Sequence, residues 1–242
     1  MNREYHKWFS PNLKKEMELL IFGHRGASVL FFPTRAAHFY DYEDWHVIDA
    51  VRDRIEAGFL QIYCLDSNDK ESFYCSECDP AYKVKRHLHY ERYVLEEVIP
   101  LKNAKNANPC LISAGCSMGA YHAVNIAFKY PKLFSKALGM SGRYDLTKQI
   151  GIFPDLFSGY RDEDIYFNMP SYYMPNLTDG TILSQLRRLE ITLVVGREDA
   201  FLENNQQLSA ILTSKGINNN LFIWDAEAHK PWNWAEMLPL YL

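Results

Sequence analysis

Ser117, Asp199 and His229 stand far apart in the chain, yet they are the residue types that nucleophilic attack on a carbonyl requires. A serine hydroxyl is inert at neutral pH until a base takes its proton, and the base needs an acid to orient it. Ser117 is the centre of Gly115-Cys116-Ser117-Met118-Gly119. A serine held on a strained turn between strand and helix tolerates only small residues two before and two after it, and both positions are glycine. With Cys116 at the tip instead, Met118 would be one of those flanks and is too bulky. Cys116 therefore reads as a small buried hydrophobe.

Of the eight histidines, only His229 follows Ser117 with a whole strand–helix–strand unit between, because His122 falls inside the helix directly after the serine. It stands in the loop "DAEAHKPW", with Pro231 opening the next helix. The acid should come from "REDAF", where Asp199 is preferred over Glu198, with Glu203 a further candidate. Asp199 also suits the cap of a helix starting near Phe201, and the two roles are compatible. An oxyanion hole would pair the N–H of Met118 with one from the loop in "VLFFPTRAAHFYDYED". Pro33 has no N–H, which leaves Thr34 or Arg35, with Thr34 preferred.

These groups need a platform. Glu4–Ser10 and Met17–Phe22 read as an antiparallel opening, followed by a turn at 23–26 and the apolar run Ala27–Pro33. Further strands are expected at 59–65, 109–114, 135–141, 191–196 and 220–225. Helices are expected at 46–57, 87–100, 118–130, 181–188, 202–214 and 231–241. Alternation of this kind means an α/β fold, a mostly parallel sheet with helices on both faces. Residues 142–180 break the rhythm with aromatics and punctuating Pro and Gly, which suggests a lid-like insertion without regular structure in one domain spanning 1–242.

A chain of 242 residues buries roughly 70–75% of its unfolded surface at this size. Its charge is 26 Lys+Arg against 30 Asp+Glu, a net of −4, with no basic block, which argues against a nucleic-acid partner. The first twenty residues lack the apolar stretch of a signal peptide and no run approaches a membrane span, so a cytoplasmic protein without membrane association is expected. Five scattered cysteines do not read as a disulfide framework. Aromatics make up 14% of the chain, enough for the walls of a cleft as well as a core.

With the three residues in place, the chain resembles the esterase family of α/β-hydrolases, the group around esterase D, S-formylglutathione hydrolase and antigen 85. The best match is "GCSMGAYHAVNIAFKYPKLFSKALGMSGRYD"; weaker ones are "FFPTRA", "YERYVLEEVIP", "VVGREDAFLENNQQLSAIL" and "AHKPWNWAEMLPLYL". The resemblance implies a serine hydrolase of esters or thioesters with no metal and no organic cofactor, and allows acyl transfer to an acceptor other than water. Two departures are visible: Phe32-Pro33-Thr34 replaces a His-Gly type of sequence at the oxyanion loop, and Cys116 precedes the nucleophile.

The aromatics of 152–175, namely Phe153, Phe157, Tyr160, Tyr166, Phe167, Tyr172 and Tyr173, together with Trp232 and Trp234, are candidates for the cleft walls, and they serve equally well to pack the insertion onto the body. Tyr166 and Trp232 are the preferred substrate contacts, with Arg35 beside the oxyanion loop for an anionic group. Cys75-x-x-Cys78 before His87-x-His89 raises a zinc site, but the His spacing is too close and the stretch runs on as helix. A redox role for the two cysteines lacks a thioredoxin-like setting. A non-catalytic binding module on the same fold finds little support, since all three positions carry competent residues. The acyl group, the leaving group and homo-oligomer formation stay open.

Overall fold

A computed structural model describes all 242 residues. Eight strands form one sheet: β1 (Arg3–Ser10), β2 (Lys15–Phe22), β3 (Ala27–Phe32), β4 (Leu60–Leu65), β5 (Leu111–Cys116), β6 (Lys136–Met140), β7 (Glu190–Gly196) and β8 (Asn220–Trp224). They lie in the order β1-β2-β4-β3-β5-β6-β7-β8. β1 pairs with β2 and β2 with β4 antiparallel, and every other pair is parallel.

Burial follows position in the sheet. β4 and β5 are buried at every residue, as continuous apolar runs in a sheet covered on both faces must be. β1, at one edge, alternates between exposed and half-buried residues. The apolar layer on one face includes Leu30, Val124, Phe128 and Leu193; the other includes Phe22, Ile62, Ala114, Met237 and Leu238. The helix Met118–Lys129 is buried from Met118 to Phe128, so the element after Ser117 is clamped along nearly its whole length.

All eight expected strands are present, within two residues of their expected bounds. The helices differ more. The expected helix 46–57 is reduced to a 3-10 turn at Asp49–Val51 and a short helix Arg52–Glu56, and His46 at φ +57° separates them from a turn of helix at Asp41–Asp44 that was not expected. The helix expected at 87–100 begins earlier, at Pro80, where the Asp79 side chain accepts the Ala81 N–H. It also runs past Pro100 to Lys105. A widened turn at Val94–Val98, where the Ile99 N–H donates to the Val94 carbonyl, absorbs the proline. The insertion carries helices Glu163–Tyr166 and Pro170–Asn176, with Phe157, Ile165 and Met169 in a third apolar cluster.

Cys75 and Cys78 form a disulfide, whereas Cys64, Cys110 and Cys116 are free thiols. The chain thus carries one local cross-link within a Cys-x-x-Cys loop, where neither zinc nor a disulfide framework was expected. His87 is buried in the helix after that loop, with Nε2 3.2 Å from Asn168 Oδ1. No helix is long and apolar enough to cross a membrane.

Candidate active site

β5 ends at Cys116 and the next helix begins at Met118, so Ser117 alone makes the turn, at φ +55° and ψ −116°. Its own N–H donates to the Met140 carbonyl of β6, 2.8 Å away. The flanking glycines are a steric necessity: a Cβ on Gly115 would lie 2.3 Å from the Gly119 backbone, and one on Gly119 would lie 2.2 Å from the Phe32 carbonyl oxygen. Small residues there let the elbow fold on itself and against the end of β3. The Cys116 side chain is fully buried, and that burial pushes its thiol pKa up, so it is a protonated filler beneath the elbow.

His229 reaches Ser117 from the loop after β8, with Nε2 3.1 Å from Ser117 Oγ. Its Nδ1 lies 2.8 Å from Asp199 Oδ2. The other carboxylate oxygen of Asp199 accepts the Phe201 N–H at 2.9 Å, so one buried side chain serves both the turn and the imidazole. Glu198 points out to solvent. The His229 loop is anchored from below: Ser141 Oγ donates to the Ala228 carbonyl at 3.3 Å, and the Trp234 indole N–H donates to Ser141 Oγ at 3.4 Å.

The loop after β3 is tied to the elbow. The Tyr42 hydroxyl donates to the Phe32 carbonyl and accepts the Cys116 N–H. Further along, the Ala36 N–H donates to Asp69 Oδ2 at 3.0 Å, and Asp69 Oδ1 lies 3.2 Å from His122 Nε2, with both side chains buried. Between these anchors, the N–H groups of Thr34 and Arg35 donate to nothing in the protein, as does that of Met118. Unpaired N–H groups beside a serine are what an oxyanion would bind.

Above these groups lies a cleft of about 400 Å³, lined by Thr34, Arg35, Ser117, Met118, Phe153 and His229 among others. Two expected wall residues are elsewhere. Tyr166 lines a separate groove with Phe128, Tyr130 and Tyr173, and its hydroxyl accepts a bond from Asn176. Trp232 is 64% exposed on the first turn of the last helix, and Trp234 takes the inward position, its ring 5.6 Å from the imidazole of His229. Phe153 reaches the cleft and packs on Phe201, but Phe157 is core. Sequence reasoning missed Tyr74, Arg143, Asp69 and Phe201. The last stands in the quoted loop "REDAF", Tyr74 and Arg143 lie in loops, and Asp69 opens a single 3-10 turn, all too short to show periodicity.

A family model described as "Putative esterase" matches residues 62–230. No match is found among curated protein sequences. Among solved structures, the chain superposes on a ferulic acid esterase with a TM-score of 0.77 at 16% identity, covering 98% of this chain and 95% of that one. It matches an S-formylglutathione hydrolase from Agrobacterium tumefaciens at 0.74 and 16%, covering 99% and 94% of the two chains. FphF, a fluorophosphonate-binding serine hydrolase of Staphylococcus aureus, matches at 0.70 and 14%, covering 98% and 95%. At such identities the likeness establishes the fold, which is that of the α/β-hydrolases.

Proposed function

The chain belongs to the esterase family, and on that premise we propose that it cleaves a carboxylic ester or thioester with Ser117 as nucleophile, His229 as general base and Asp199 as the acid orienting it. The observation that carries this reading is the continuous line from Ser117 Oγ to His229 Nε2, 3.1 Å, and from His229 Nδ1 to Asp199 Oδ2, 2.8 Å. Both imidazole nitrogens are engaged, and only the tautomer with its proton on Nδ1 leaves Nε2 free to take the serine proton.

In the first step His229 removes that proton as Ser117 Oγ bonds to the ester carbonyl carbon. The oxyanion so formed lies against the N–H groups of Met118 and Thr34, both without a partner in the protein. The carbonyl re-forms, the bond to the leaving alcohol or thiol breaks, and His229 delivers its proton to that group. Water then attacks the acyl-enzyme with His229 again as base, and the acid departs. The expected location is the cytoplasm.

Intact mass after brief exposure to a fluorophosphonate tests the assignment. A single adduct on the native chain that is absent from Ser117→Ala supports it, with ester turnover in that variant down by about 10⁴-fold or more. A folded native chain that takes no adduct and turns over no ester overturns it.

A further inference from the structure

The cleft wall carries more positive charge than the reaction uses. Arg35, Arg143 and Lys230 all line it. Lys230 stands at the rim with Glu227 3.8 Å away, but neither arginine pairs with a carboxylate. Asp199, the other acidic group of the wall, is already engaged by His229 and the Phe201 N–H.

Arg143 is the more telling of the two. It follows β6 by three residues and is only 3% exposed. Its Nε donates to the Asp145 carbonyl at 3.2 Å, and its Nη2 to the carbonyls of Lys148 and Pro154 at 2.8 and 2.7 Å. Three neutral acceptors aim the guanidinium, and the carboxylates of Asp145 and Asp155 attract it from nearby without bonding to it. Nη1 has no partner in the protein. A guanidinium stays protonated in proteins, and no carboxylate contacts this one, which leaves the Nη1 donors for a ligand.

Tyr74 stands in the same wall, with the Arg35 guanidinium carbon 5.5 Å from the centre of its ring. Its hydroxyl makes no hydrogen bond in the protein. Burial, with the Asp69 carboxylate adding to it, pushes its pKa up to about 12 against the pull of Arg143 and Arg35, so it remains neutral and able to donate. Arg35 comes from the loop after β3, Tyr74 from that after β4 and Arg143 from that after β6, so they reach the cleft from both sides of β5, which carries Ser117. The two guanidiniums can only donate and the neutral phenol can donate beside them, so the partner that completes the set is an acceptor with negative charge.

We propose that the substrate is an anionic ester, whose carboxylate is held by Arg143, Tyr74 and Arg35 while its ester carbonyl lies at Ser117. The inference rests on the esterase reading above and adds to it the class of substrate. A planar carboxylate matches the fork of a guanidinium, and a phenol supplies one further short bond. The carboxylate stands in either the acyl or the alcohol half of the ester.

Two matched pairs of esters test it. Mono-p-nitrophenyl adipate against p-nitrophenyl hexanoate places the charge in the acyl half; 4-carboxyphenyl butyrate against phenyl butyrate places it in the leaving group. The native enzyme is expected to favour the charged member of one pair by roughly tenfold to a hundredfold in kcat/KM, the range of charge-assisted hydrogen bonds. Arg143→Gln should erase that ratio. Because Arg143 also ties down its own loop, Arg35→Gln, at an exposed position, is measured beside it and should lower the ratio several-fold. Added salt should reduce the preference of the native enzyme. Hydrolysis of the neutral esters with no preference in either pair, or a ratio unmoved in both variants, overturns the anionic subsite alone. No turnover of any ester and no fluorophosphonate adduct overturns the esterase reading as well.

Discussion

Asp199 holds two donors at once, the imidazole of His229 and the Phe201 N–H. Asparagine keeps the shape but offers an amide where the imidazole needs a carboxylate, so the wrong tautomer is favoured and the imidazolium is unsupported. Asp199→Asn should lower kcat by about 10³ to 10⁴-fold with little change in KM, measured on any ester the native enzyme turns over. Gly119 gives a second prediction. A methyl there meets the Phe32 and Pro33 carbonyls at 2.2 and 2.7 Å, both rigid backbone. Gly119→Ala should cost about 1–3 kcal/mol in urea unfolding, and should also displace the loop carrying Thr34, so that turnover falls with stability. At this scale the proposed triad was legible because chemistry narrows the residue type: one serine between glycines and one histidine late enough in the chain. Trp232 was misjudged because two tryptophans share the first turn of one helix, and composition does not say which faces inward. Arg143 left no signal, since its importance lies in three carbonyls of a folded loop.

The strands were legible because a run of apolar residues such as "LQIYCL" has few alternatives in an alternating chain. The helices were less so, because their ends depend on local devices. The Asp79 cap started one of them seven residues early, and a widened turn carried the same helix through a proline. Two predictions belong here. Asp69 fastens the loop after β3 through the Ala36 N–H and touches His122 on the helix behind Ser117. Asp69→Ala should free that loop and lower kcat on the order of tenfold to a hundredfold, with the rate of fluorophosphonate labelling falling in parallel. His87, on the helix Pro80–Tyr93, is held well below its ordinary pKa by burial, with the nearby His122 adding to the effect. The unfolded imidazole takes a proton near pH 6.5, so below that the unfolded chain binds one more proton than the folded one. The contribution of His87 to stability is therefore full above about pH 6.5 and lost as the pH falls, by at most about 1.4 kcal/mol per pH unit. Unfolding midpoints between about pH 7.5 and 5.5 should decline less steeply in His87→Gln than in the native chain.

Across the whole molecule, the candidate site and the scaffold separate cleanly. Every group proposed to act on substrate hangs from the C-terminal ends of β3 to β8, while the apolar layers fill the space behind them. Leu193, fully buried in mid-β7, illustrates the division. Leu193→Ala should cost about 2–5 kcal/mol and lower the melting temperature, yet leave kcat close to native at temperatures where the chain is folded. The elbow presses on the same stability from the other direction. A non-glycine residue at φ +55° and ψ −116° holds about 1–3 kcal/mol of backbone strain that the surrounding layers must overcome. Glycine at 117 would relax there, and the gain should offset its greater freedom in the unfolded chain, about 0.5–1 kcal/mol. Ser117→Gly should then unfold at a urea concentration equal to or above that of the native protein, while its ester turnover falls by about 10⁴-fold or more, as in Ser117→Ala. The active enzyme would be the less durable of the two, a molecule that wears out sooner because it can work.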